Sequence, residues 1–238
     1  MSDPHGAAIL AHLYEVEALR QRQARDSVLS TRVQNVKTFQ HARFAQTYDD
    51  LLNQRRFKMA SRFFLDELYG PHDFSERDAQ FARIVPALVR LFPAEIVQTV
   101  EMLAQLHALS ERLDVQMAQE LPLGEMDLSQ YQTAWQRVGE REGRHQQIDL
   151  MLAIGRSLQK YTKNPVLRTS LKLMRGPAKA AGLAALQRFL ETGFDTFRDL
   201  DDQAAEFLEI VANRERAIVA WLFTKAEADS APWRSQWR

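Results

Sequence analysis

The 238-residue chain contains no cysteine, which excludes disulfides, thiolate nucleophiles, Cys-ligated zinc and iron–sulfur clusters together. Glycine and proline are scarce, nine and eight residues, and they fall mostly where helices would stop. No Asn-Gly or Asp-Gly hairpin signal occurs, and strict apolar–polar alternation over strand lengths is rare. A glycine-rich phosphate loop and a Gly-x-Ser-x-Gly nucleophile elbow are both missing, as are the signatures of specific nucleic-acid modules. No apolar run approaches the roughly 18 residues of a membrane span. The opening Met1–Gly6 lacks the regions of a signal peptide, so a cytoplasmic protein is expected. Net charge is absent too: 31 basic residues cancel 31 acidic ones, so any attraction to an anion must be local.

What is present is ordinary for a globular domain. Apolar residues make up 45% and charged residues 26%, and the length allows a substantial core. The patterning predicts an all-α bundle of about seven to nine helices. The N-terminal pair covers about 7–25 and 27–53, where Leu29, Val33, Val36, Phe44 and Leu51 recur at helical spacing. Residues 1–55 are therefore expected to form a helical pair that projects or dimerises, 56–229 the bundle core, and 230–238 an irregular tail. A third helix, about 58–69, should stop at Gly70-Pro71. Ser75 with Asp78 reads as a capping box for the fourth, with Pro86 as a kink and Pro93 opening the fifth, about 94–120. Asp127 with Gln130 caps a long sixth helix to about 161. Asn164-Pro165 starts a seventh, Gly176-Pro177 an eighth, and Asp201 or Asp202 a ninth reaching about 228.

Ionisable groups on apolar stripes are the sharpest anomaly. At 100° per residue, Tyr131, Ala134, Trp135 and Val138 define a face that continues through Glu142, His145, Asp149 and Leu152. In the fifth helix Ile96, Val100 and Leu103 lead into His107 and Glu111. In the ninth, Phe207, Val211, Ile218 and Leu222 flank Arg214 and Glu215. A buried ion-pair network in which Arg214, with Arg141 or Arg144, satisfies Glu142, Asp149 or Glu215 is the leading reading. A break near Gly143 would instead turn the second half of the sixth helix toward water.

A metal site is the alternative. Glu142-Gly143-Arg144-His145 has the Glu-x-x-His spacing that points a carboxylate and an imidazole at one ion. It resembles ferritin-like di-iron bundles, which carry that motif twice; here it occurs once, and the chain is not assigned to them. The resemblance implies iron or another transition metal held by His107, Glu111, Glu142 and His145, with redox or hydrolytic activity. Haem on one histidine is a variant. Arginine near the cluster would compete for the same carboxylates.

The remaining candidate is a basic run. Arg156, Lys160, Lys163, Arg168, Lys172, Arg175 and Lys179 are accompanied by no acidic residue, whereas Glu191 to Glu209 reverses the sign. Two expected helix N-termini in the same region favour anions. The leading functional expectation is a non-enzymatic interaction protein that binds a protein or an anionic partner through 156–179, or associates with itself. No cofactor is called for on this reading.

Overall fold

A computed structural model describes residues 3–68, 70, 72–122, 124, 126–224 and 230–235. It is all-α, with no strand and nine helices of seven or more residues among the described residues. The helices are α1 (Pro4–Arg25), α2 (Ser27–Thr47), α3 (Asp49–Asn53), α4 (Lys58–Phe63), α5 (Ser75–Leu91), α6 (Ala94–Glu120), α7 (Leu128–Val138), α8 (Arg141–Thr162), α9 (Pro165–Leu173), α10 (Arg175–Ala180), α11 (Ala184–Leu200), α12 (Ala204–Leu222) and α13 (Pro232–Ser235). A π-helical turn at Phe64–Leu68 follows α4, and a 3₁₀ turn at Asp201–Gln203 precedes α12. Tyr69, Leu123, Trp237 and the stretch 225–229, which carry expectations about helix ends, a loop and the tail, lie outside the described residues. None of the described helices is long and apolar enough to cross a membrane.

The 27-residue α6 is the spine, and α1, α2, α7 and α8 all pack on it. Asp3 starts α1 by accepting from the amides of His5 and Gly6, with Pro4 in the first turn. Ile9, Leu13 and Val16 then bury the inner side of α1 against α5 and α6. Both N-terminal helices, α1 and α2, thus pack against α6. At the other end Trp233 is buried, its ring set edge-on to Trp221 with centroids 5.3 Å apart, so part of the tail is an ordered, docked turn of helix.

Two local differences from the sequence reading decide where the site lies. The sixth expected helix is two helices. Gly139 takes a left-handed φ of 69°, ends α7 with its amide on the Trp135 carbonyl, and re-aims the chain before α8. The break comes four residues before Gly143. The inward face of α8 is therefore Arg144, Ile148 and Leu152, and the stripe of Glu142 and Asp149 points outward. The second difference is at α5, which has no side-chain cap from Ser75. Asp73 accepts from the amide and hydroxyl of Ser75 instead, leaving Asp78 free to face the interior. The Asp127–Gln130 capping box forms as expected.

Buried apolar residues form two clusters. The larger joins α2, α3, α7, α8, α11 and α12 through Phe44, Tyr48, Phe57, Tyr131 and Phe207. Within it α8 and α12 approach closely at Gly155, where a Cβ would lie 2.6 Å from Leu208 Cδ2. The smaller joins α1, α5, α6 and the start of α11 through Ile9, Leu13, Phe81, Val85 and Leu186. The seam between the two is not filled by apolar side chains.

Candidate functional site

A cavity of about 210 Å³ occupies that seam. Its walls are divided. Leu13, Phe81, Leu88, Val100 and Ala104 supply an apolar end, and charged or amide side chains from α2, α5, α6, α8 and α12 supply a polar one. Helical geometry explains the polar wall: His107, Ser110, Glu111 and Asp114 stand at i, i+3, i+4 and i+7 of α6, one face of the spine, and all four line the cavity. Across from them Lys37, Gln40 and Arg43 come from successive turns of α2.

Three of the acids here meet cations. Asp78 Oδ2 lies 2.7 Å from His107 Nε2 and 2.8 Å from an Arg20 guanidinium nitrogen, and Arg77 Nε donates to its other oxygen at 3.2 Å. Burial alone would raise the Asp78 pKa, but the His107 hydrogen bond and the charges of His107, Arg77 and Arg20 hold it well below the usual carboxylate range. Glu111 accepts from Lys37 Nζ at 2.7 Å. Burial pushes its pKa up too, and Lys37 outweighs the push. Asp114 accepts an amide hydrogen bond from Gln40 Nε2 at 2.9 Å, and burial raises its pKa despite the nearby cations. Arg43 forks onto Glu215 with bonds of 3.1 and 3.0 Å, and the Tyr48 hydroxyl adds a third at 2.9 Å. Arg144 lies 3.8 Å from the Trp135 ring centre and donates to Gln147, which in turn donates to Ser110. The buried atoms of cavity residues that lack a hydrogen-bond partner among the described residues include the carboxylate oxygen Glu111 Oε2 and the indole nitrogen Trp135 Nε1.

The sequence candidates divide cleanly. His107, Glu111 and Glu215 line the cavity. Arg214 sits beside it and forks onto Asp50 at 2.6 and 2.8 Å, also donating to the Thr47 carbonyl. Asp149 is not in the buried network: it is exposed and pairs with Arg216 at 3.0 Å. Glu142 is exposed and His145 half-buried, and neither lines the cavity with His107 and Glu111. The four proposed metal ligands are not brought together, and among the described residues no group of three or more His, Asp or Glu could hold a metal ion. The basic residues from Arg156 to Lys179 are all exposed. Three of them meet acids: Lys160 with Glu95, Lys163 with Asp202 and Arg175 with Glu191.

Sequence reasoning missed Arg20, Lys37, Arg43, Asp78 and Asp114, and took Arg144 only as a partner for Glu142, Asp149 or Glu215. A signal existed for two of them. Lys37 follows Val33 by one helical turn on the apolar side of α2, and Asp114 continues the His107–Glu111 stripe by three residues.

Residues 19–229 match the family model described as Domain of unknown function (DUF8198). The chain belongs to that family. The matched span takes in every cavity-lining residue except Leu13. No curated protein and no solved structure matches the chain.

Proposed function

We propose that this member of the family is a small-molecule-binding domain, and that its cavity takes a compact, mostly apolar ligand bearing one uncharged hydrogen-bonding group. The observation that carries the reading is the divided wall of the 210 Å³ cavity, apolar at one end and polar at the other. That space exceeds the roughly 150 Å³ of an engineered cavity that takes benzene. Three acids of the polar wall are already neutralised: Asp78 by Arg20 and His107, Glu111 by Lys37, Glu215 by Arg43. A charged ligand would lose hydration on entry and would have to compete with these pairs, so an uncharged group is favoured. Glu111 Oε2 and Trp135 Nε1 offer it one acceptor and one donor, groups that are costly to bury unsatisfied.

The test is titration with prodan, a neutral naphthalene dye whose emission reports an apolar environment. Saturable one-site uptake is expected, with displacement by phenol or indole in preference to benzoate. Val100→Trp, which fills the cavity from α6, should abolish uptake while circular dichroism stays unchanged. No saturable uptake, or equal uptake by the folded Val100→Trp protein, overturns the reading.

A second reading, an interaction face at 156–179 for an anionic partner, is favoured by α9, which buries none of its residues.

A further inference from the structure

At one end of the bundle the α8–α9 turn and the α5–α6 turn come together. Lys160 Nζ reaches Glu95 Oε2 at 2.6 Å, and the Tyr161 hydroxyl donates to the Glu95 carbonyl at 2.8 Å. Leu91 and Phe92 lie four and three residues before Glu95, and those two side chains are 69% and 44% exposed. On the α9–α10 side Val166, Leu173 and Met174 are 68%, 72% and 51% exposed. Five of the large apolar side chains that the bundle leaves in water thus belong to two adjoining turns and the helix that leaves one of them. Val166 and Leu173 are seven residues apart and share a face of α9.

Charge surrounds this apolar set. Residues 156–179 hold seven cations and no acid. The pairs that Lys160 and Lys163 make are solvent-exposed on both sides, and such pairs bind weakly and yield to competing anions; Arg175 is itself exposed, on a half-buried Glu191. Arg168 and Lys172 make no ion pair within 4.0 Å among the described residues. The hollow beside them, between α9 and α11, measures about 10 Å³, room for roughly one water, so no small anion can be enclosed there. The surface is suited to something broad.

We infer that the α9–α10 segment, with Leu91 and Phe92, is a peripheral docking surface for an anionic lipid bilayer. The inference rests on reading 156–179 as a binding face. Exposed aliphatic and aromatic side chains interleaved with lysine and arginine match an interface of acyl chains beneath anionic headgroups. A nucleic acid would use the cations but leave Val166, Leu173 and Met174 in water. Contact by insertion of side chains needs no membrane-spanning helix.

The experiment is co-sedimentation of the full chain with vesicles of phosphatidylcholine alone and of phosphatidylcholine with phosphatidylserine, beside a fluorescent double-stranded DNA control. Binding is expected to the anionic vesicles only, falling with added salt. Each cation at such a surface is worth about fivefold in partition, so Lys163→Glu, Arg168→Glu and Lys172→Glu together should weaken binding by about a hundredfold or more. Leu173→Asp with Met174→Asp should also abolish sedimentation. All five positions are exposed, so circular dichroism should be unchanged in both variants. Failure to sediment with anionic vesicles overturns the inference. If the DNA then binds through the same cations, the anion-binding face survives without the lipid; if neither binds, both fall. Vesicle binding that persists in Leu173→Asp/Met174→Asp overturns the inference as well.

Discussion

Asp78 of α5 and His107 of α6 meet at 2.7 Å across the seam between the two apolar clusters, and Arg20 of α1 closes on the same carboxylate oxygen at 2.8 Å. Three helices are tied at one buried anion. Removing that anion leaves cations facing a low-dielectric wall with nothing to neutralise them. Asp78→Asn should therefore destabilise the fold by about 3 kcal/mol at neutral pH, measured by urea denaturation. The folded-state pKa of Asp78 lies below its ordinary value of 3.8, so its contribution is complete above that value and is lost as the pH falls toward the folded pKa. The gap between wild type and Asp78→Asn should shrink below about pH 4. A constant gap from pH 7 to pH 3 would contradict the pairing.

Asp114, two turns along α6 from His107, should behave with the opposite sign. Its pKa is raised by burial, so ionising it costs stability as the pH rises above its ordinary value of 3.8. Asn keeps the shape and can still meet Gln40. Asp114→Asn should match wild type near pH 3 and gain relative stability by pH 7. Denaturation curves at the two pH values decide it; a relative loss at pH 7 would show that the carboxylate is satisfied in the fold.

Arg43 and Glu215 are both buried and bound by two parallel hydrogen bonds. Arg43→Met alone should cost about 4 kcal/mol, because it strands a buried carboxylate. Adding Glu215→Leu should restore most of that loss. A double-mutant cycle with no recovery would show that the pair is not coupled.

Much of the bundle was legible in the sequence, and the reasons are local. Asp127 with Gln130 and Asn164 before Pro165 are self-contained signals within one turn, and each starts a helix as expected. The α6 stripe was legible because 27 residues of unbroken helix keep His107 and Glu111 in register with Val100. The reading failed where one residue resets the phase. Carrying the Tyr131–Val138 face through Gly139 put Glu142 and Asp149 inside, whereas the left-handed glycine brings Arg144 and Ile148 there. Asp78 was hidden for a different reason: a carboxylate three residues after Ser75 has a local explanation as a cap, and only tertiary structure offers it His107 and Arg20. Arg43 and Glu215 stand 172 residues apart, and no local rule pairs them.

The central claim is that the seam between the clusters receives a ligand. The most direct measurement is an NMR titration that follows the indole N–H signals of the four tryptophans, with Trp135 assigned by Trp135→Phe. Added indole or prodan should shift the Trp135 signal saturably, because that residue lines the cavity, and should leave Trp221 unmoved on the far side of α12. A Trp135 signal that stays fixed while the ligand is in excess, or shifts confined to Trp221 and Trp233, would contradict it.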